Sequence, residues 1–276
     1  MLFEISESRQ YIMLSRYVVE SKILWQQRPF PTTGYPLPGW NVTNVIHRRH
    51  NMKVVPDPTG APGNVLRIAY KKNSVSGKKN NIGGVRFLAR PFPPQNSCTL
   101  TYEIYFAPNF HFVLGGKLPG LYGGRGTCSG GRSSMCYSTR FMWRRNGAGE
   151  IYLYSPMTQA SDFCSRPEVH CNFDYGHSLG RRSFHFTKGK WIKIQQYIRM
   201  NAPGRRDGIA RVWVDGRLVL SMTDINYRGT TSVMANAIYF STFFGGSSSR
   251  WASAVDTFTY YKKFEIWDHQ PSFRIE

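Results

Sequence analysis

The sequence predicts an all-β chain folded as a two-sheet antiparallel sandwich of the β-jelly-roll kind, on three observations. Short β-rich runs recur between clusters of Gly, Pro and Asn, and several of them alternate apolar and polar residues at period two. Past residue 40, no stretch of ten residues sustains a helical period. Many antiparallel strands with one apolar face each must bury those faces against another sheet. Composition agrees with this reading. The 276 residues include 26 Gly and 16 Pro, which favours turns, and 41% hydrophobic with 15% aromatic residues exclude a disordered chain. No apolar run approaches the roughly 20 residues of a membrane helix.

In chain order, residues 1–40 read as an N-terminal extension ahead of a main domain at 41–276. Residues 11–25 have mixed periodicity and fit a short helix or an extended arm. Pro29, Pro31, Gly34, Pro36, Pro38 and Gly39 then make a turn-rich connector. Strands are expected at 65–70, 85–89 and 100–106. The run Gly115-Gly116-Lys117-Leu118-Pro119-Gly120-Leu121-Tyr122-Gly123-Gly124 reads as a loop whose glycines let the backbone approach a ligand while one cation is delivered. It is not a phosphate-binding P-loop, because Leu follows the lysine and no helix-forming segment comes after it. At 137–143, Ser138 and Arg140 share a strand face, opposite Phe141 and Trp143. At 150–154, Tyr152 and Tyr154 share a face, opposite Ile151 and Leu153. Should these two segments be neighbours, Ser, Arg and two Tyr converge on one polar surface. Further on, 191–198 places Ile192, Ile194 and Ile198 on one side and Lys193, Gln195 and Tyr197 on the other. Asp215-Gly216-Arg217 joins 209–214 to 218–220 as a hairpin, and 237–244 and 260–267 complete the strands.

Lys and Arg number 36 against 16 Asp and Glu, a formal charge of +20. That excess suits nucleic acid, an anionic membrane surface or an acidic polysaccharide. The basic pairs, such as Lys71-Lys72, Lys78-Lys79, Arg144-Arg145, Arg181-Arg182 and Arg205-Arg206, are scattered rather than gathered in a tail, and no nucleic-acid-binding signature accompanies them. Five cysteines are present. The spacings of Cys128 to Cys136 and of Cys164 to Cys171 suggest two local disulfides, leaving Cys98 as a free thiol. The spacing does not suit a zinc knuckle, even with His170 nearby, and no acidic ligand constellation stands out for a hard cation. Disulfides imply an oxidising destination, yet Met1-Leu2-Phe3-Glu4-Ile5 does not begin a signal peptide.

The GGKLPGLYGG run, the cysteine-framed Gly/Ser segment after it, the Ser-x-Arg strand and the Tyr-x-Tyr strand together resemble family 14 polysaccharide lyases. That family includes the glucuronate-cleaving lyases of chlorella viruses and the alginate lyases of molluscs. The resemblance covers roughly residues 40–270 and continues through Asp215-Gly216 and Ser241-Thr242-Phe243-Phe244-Gly245-Gly246. It implies a jelly roll whose active groove lies on a concave sheet, with Lys117, Ser138, Arg140, Tyr152 and Tyr154 at the functional positions. It also implies β-elimination of a uronic-acid polymer such as glucuronan, alginate or a related cell-wall polyuronate. From the residues themselves, no cofactor or metal is expected.

In such a reaction the C5 proton becomes removable once the neighbouring carboxylate is neutralised. Arg140 and Ser138 are expected at that carboxylate. Lys117 and one tyrosine are expected at the proton transfers, the cations favouring a phenolate by lowering the phenol pKa, or Lys117 itself serving as base if it is desolvated. No matched carboxylate pair of the kind a glycoside hydrolase uses stands in these motifs. Arg86, Lys193 and Gln195 are candidate substrate-binding residues in further subsites. The alternative is a non-catalytic lectin-like binder of acidic polysaccharide. The expected partner is the polyuronate, with no nucleic acid or membrane, for a monomer acting outside the cell or on a virion.

Overall fold

The computed structural model describes residues 21–44, 46–76, 83–126, 128–129, 135–155 and 158–270. Its strands in chain order are β1 (Ile23–Gln26), β2 (Met52–Pro56), β3 (Asn64–Tyr70), β4 (Val85–Ala89), β5 (Ser97–Phe106), β6 (Gly115–Gly124), β7 (Cys136–Arg144), β8 (Gly149–Tyr154), β9 (Val169–His170), β10 (His177–Leu179), β11 (Trp191–Arg199), β12 (Gly208–Val214), β13 (Arg217–Ile225), β14 (Ala235–Phe244) and β15 (Thr257–Trp267). Among the described residues there is no α-helix, only four short 3₁₀ turns. The strands form two antiparallel sheets. The back sheet runs β13-β12-β11-β5-β15-β3-β2, with β1 added on β15, and the front sheet runs β4-β14-β6-β7-β8-β10-β9. The two-sheet antiparallel sandwich is the architecture expected from the alternating runs.

Period-two alternation sends one face of each sheet into a shared core. Ile192, Ile194 and Ile198 of β11 meet Phe141, Ile151 and Leu153 of the front sheet there, all nearly free of solvent. Aromatic pairs knit the layers together: Phe240 of β14 meets Tyr261 of β15 edge-on at 5.0 Å, and Phe244 of β14 meets Tyr70 of β3 at 5.3 Å. Each such pair contributes about 0.5–1.5 kcal/mol beyond its buried area. The β12–β13 hairpin turns at Asp215 (φ 48°) and Gly216 (φ 83°), the two left-handed positions that a tight hairpin of matching twist requires.

Two expectations need correction. The glycine-lysine segment is not a loop but β6, a ten-residue buried strand between β14 and β7. Its glycines serve close packing: a Cβ at Gly116 would lie 2.1 Å from the Trp143 ring, and one at Gly120 would lie 2.3 Å from the Thr139 carbonyl. The connector near residue 40 also packs into the sandwich. β1 pairs with β15, and Phe30, Leu37 and Trp40 are buried in the core. Within 11–25, residues 23–25 are therefore extended as part of β1, while residues 1–20 and the Lys78-Lys79 pair lie outside the described residues.

Beneath the polar surface, a bulge interrupts β6 on both sides between Lys117 and Gly120, where Pro119 has no N–H to give. The back sheet supplies partners for the groups so released. Tyr102 donates its hydroxyl to the Pro119 carbonyl at 2.9 Å. The Gln196 amide oxygen accepts from the Leu121 N–H at 3.3 Å and from Thr139 Oγ1 at 3.0 Å, while Gln196 Nε2 donates to the Thr139 carbonyl at 2.7 Å. These buried, satisfied polar ties fix how β6 and β7 sit over the back sheet, and hence where Lys117 points.

Candidate active site

β6, β7 and β8 are consecutive neighbours, and the register places Gly120 opposite Arg140, Arg140 opposite Tyr152, and Ser138 opposite Tyr154. Because Thr139, Phe141, Ile151 and Leu153 face inward, Ser138, Arg140, Met142, Tyr152 and Tyr154 share the outer face of the front sheet. Lys117 joins them from β6, where the bulge turns it outward. The five residues expected at the functional positions are thus brought together.

Lys117 is 6% exposed. Its Nζ lies 3.7 Å from the centre of the Tyr152 ring, 5.3 Å from that of Tyr154 and 2.9 Å from Met142 Sδ. Among the described residues it makes no ion pair. Burial, with like charges at Arg140 and Arg144, holds its amine well below the ordinary lysine range against a smaller opposing pull from Glu150.

Arg140 is fully buried and also has no carboxylate partner among the described residues. Its guanidinium lies 4.5 Å from the ring centre of Tyr239 and 5.2 Å from that of Tyr154. Long hydrogen bonds run from Nη1 to Ser241 Oγ at 3.2 Å and from Nη2 to Ser129 Oγ at 3.3 Å, and Nε has no partner among the described residues. Arginine keeps its proton at any physiological pH. The site therefore holds a desolvated positive charge that no carboxylate among the described residues neutralises. Arg86, opposite Ser241 on β4, shares the face and adds repulsion.

The nearest acid is already committed. Glu150 is fully buried; Arg144 contacts its Oε1 at 2.6 Å, Arg181 Nε its Oε2 at 2.7 Å, and Ser178 Oγ donates to it at 2.6 Å. Burial alone would raise its pKa, but the two arginines and the serine hold it below the ordinary carboxylate value. Arg144, whose guanidinium lies 5.6 Å from the Tyr152 ring centre, thereby links this clamp to the site. The basic pairs 144–145 and 181–182 each give one residue to structure rather than to solvent.

The tyrosines differ from expectation. Desolvation outweighs the nearby cations: it pushes the Tyr152 phenol up to about 12 and raises that of Tyr154, so both are neutral donors near pH 7. Burial thus works against the expected phenolate. Neither hydroxyl makes a protein hydrogen bond among the described residues.

Ser138 is fully buried and donates its hydroxyl to the Cys128 carbonyl at 2.8 Å, tethering the disulfide-closed turn that carries Ser129. Disulfides join Cys128 to Cys136 and Cys164 to Cys171, and Cys98 is a buried free thiol, the pairing the spacing suggested. Lys193 and Gln195 are not in this cluster. Both sit on β11 with side chains on the outer face of the back sheet, where Gln195 donates to Thr101 Oγ1 at 3.4 Å, so the whole core separates them from Lys117. Sequence reasoning missed Met142, Arg144, Glu150, Tyr239 and Ser241. Continuing the period-two count beyond Arg140 would have found Met142 and Arg144, whereas nothing local marks Tyr239.

The polysaccharide lyase 14 family model matches residues 59–264. The crystal structure of a PL-14 alginate lyase from Aplysia kurodai aligns with a TM-score of 0.80 at 32% identity, covering 91% of this chain and 100% of that one. The alginate lyase vAL-1 from Chlorella virus shares the fold, with a TM-score of 0.72 at 24% identity over 84% of this chain and 93% of that one. The exolysin of Paramecium bursaria Chlorella virus 1 is 26% identical over 210 residues, 67% of this chain but 32% of the relative; the chain spans about a third of that curated protein's length. With three quarters of its residues inside the family match, the chain belongs to the polysaccharide lyase 14 family.

Proposed function

We propose that the protein is a polysaccharide lyase of the EC 4.2.2 type that cleaves polyuronates such as alginate or glucuronan by β-elimination. One observation carries the reading: a buried lysine amine and a buried guanidinium, neither with a carboxylate partner among the described residues, share one polar surface with two neutral phenols. A desolvated cation without a counter-ion is costly unless a ligand supplies the anion. The uronate carboxylate is that anion. The alginate substrate in the name of the Aplysia relative supports the same class.

In this mechanism Arg140 receives the carboxylate and stabilises the charge that builds on it as C5–H breaks, which lowers the barrier more than it strengthens ground-state binding. Lys117, whose amine is shifted toward its neutral form by desolvation, takes the C5 proton. The C–H electron pair becomes the C4=C5 double bond, the C4–O4 bond breaks, and the departing O4 takes a proton. Tyr154 is the donor, since its ring lies beside both Arg140 and Lys117 and so spans the distance between carboxylate and base. Tyr152, whose ring face carries the lysine amine, positions that base. Solvent then removes the proton from Lys117 and restores that of Tyr154. Ser138 acts by holding the turn whose Ser129 bonds Arg140. Two disulfides suit a site of action outside the cell, on wall polysaccharide. The basic surface draws a polyanion to the groove, an effect that weakens with salt.

The test is ultraviolet absorbance from the conjugated product on adding alginate or glucuronan, for the wild type, Lys117→Ala, Tyr154→Phe and Tyr152→Phe. The reading expects signal from the wild type, near-complete loss in the first two variants and partial loss in the third. No signal from any polyuronate, or wild-type turnover in both Lys117→Ala and Tyr154→Phe, would overturn it.

A further inference from the structure

At one end of the sandwich, apart from the residues described above, lies an open depression of about 740 Å³. That volume is within the roughly 300–1,000 Å³ of ordinary ligand sites. The segment before β6, the β7–β8 turn, the approach to β11 and the turn after β14 converge there. Phe112 lines the depression, with His111, Arg145, Asn146, Lys188 and Arg250 around it. No Asp or Glu lines it, and among the described residues none of Arg145, Lys188 and Arg250 makes an ion pair or a side-chain hydrogen bond. Three cations beside an aromatic ring, with no acid, make a receptor for an anionic ligand that also has an apolar face. A uronate sugar has both, a carboxylate and a face of C–H groups.

The surroundings are shaped rather than frayed. Trp143 Nε1 donates to the Phe112 carbonyl at 2.9 Å, and the Phe112 ring packs against Phe106 at 5.1 Å and Phe110 at 5.3 Å, so both its backbone and its ring are held in place. Val113 (φ 42°) and Asn146 (φ 58°) adopt left-handed backbone, which is costly for a β-branched valine. Leu114 of the same wall immediately precedes β6. At about 3.3 Å per strand residue, Lys117 lies only about 10 Å further along the chain. On the other strand, Arg145 lines the depression and its neighbour Arg144 lies beside Tyr152.

We propose that this depression is a second, remote anion site that holds an acidic sugar of the same polyuronate strand, some units away from the bond that is cut. The inference rests on the polyuronate reading. It adds that affinity depends on chain length, because only a strand long enough to reach Arg145, Lys188 and Arg250 gains their attraction.

The experiment measures binding without turnover. Short and long saturated oligouronates are titrated calorimetrically into Lys117→Ala and into the same protein carrying R145A, K188A and R250A. These three side chains are exposed, and circular dichroism with a thermal melt confirms that the variant folds. The expected result is tighter binding of the long oligomer than the short one in Lys117→Ala. In the quadruple variant that advantage should fall by about tenfold or more, since three attractive charges are lost together. The same loss should appear when salt near 1 M is added to Lys117→Ala. An unchanged length advantage in the quadruple variant would overturn the remote site. A wild type that binds the oligomers but yields no unsaturated product would overturn the lyase reading instead, so the two failures are distinguishable.

Discussion

Arg140→Met separates function from stability. The guanidinium is fully buried with two aromatic rings beside it, two hydrogen bonds longer than 3 Å and an unpartnered Nε. Removing it forfeits about 0.5–2 kcal/mol per ring contact and about 1 kcal/mol per hydrogen bond, or roughly 3–6 kcal/mol in all. It also removes a desolvation penalty of several kcal/mol that no counter-ion offsets, and methionine fills much of the same volume. The two sides nearly cancel. The variant should lie within about 2 kcal/mol of the wild type, or within about 6 °C in Tm for a chain of this size. Its kcat/KM should fall by at least about 100-fold, the usual cost of deleting a donor aimed at developing charge. Differential scanning calorimetry and continuous absorbance on alginate or glucuronan measure both quantities. Turnover within a few-fold of wild type would refute the role of Arg140. A loss of more than about 3 kcal/mol in stability would show that the residue is kept for the fold instead.

Four further outcomes follow from the same geometry. Lys117 has a lowered pKa in the folded protein, so the unfolded chain binds its proton more readily, and stability should rise with pH between the depressed folded value and the ordinary 10.5; Lys117→Met should flatten that rise in urea melts taken across the range. Activity should likewise climb as the amine deprotonates and fall on the alkaline side as the phenols ionise, Tyr152 near 12, so a kcat/KM profile highest at acidic pH would contradict the neutral-base assignment. Glu150→Gln breaks a buried clamp between Arg144 and Arg181 and should cost about 3–5 kcal/mol by chemical denaturation, where a surface ion pair would cost under 1. Gly116→Ala drives a methyl into the Trp143 ring and should destabilise by about 1–3 kcal/mol or more, read by the same melts.

What the sequence disclosed depended on whether the signal was local. Alternation in β7, β8 and β11 is a local property, so Ser138, Arg140, Tyr152 and Tyr154 could be placed on shared faces before any pairing was known. Which faces then look the same way is not local. Lys193 and Gln195 have the right polarity on the wrong sheet, and only the strand order separates them from Lys117. The glycine-rich β6 lacks the β-branched residues that mark strands, because its neighbours, not its own side chains, fill the space around it. The phenol shifts were misjudged for a similar reason: sequence names the nearby cations, but the loss of water that outweighs them depends on the whole packed surface. Tyr239 shows the same limit from the other direction, reaching Arg140 from a strand about 100 positions away.

The most direct test is a polyuronate bearing deuterium at C5. Arg140 neutralising the carboxylate and Lys117 taking the neighbouring proton predict that unsaturated product forms without the label, that the deuterated substrate reacts more slowly, and that Arg140→Met abolishes both signals. New chain ends that keep the deuterium at C5 would mean the bond is broken some other way, and would contradict the account at its centre.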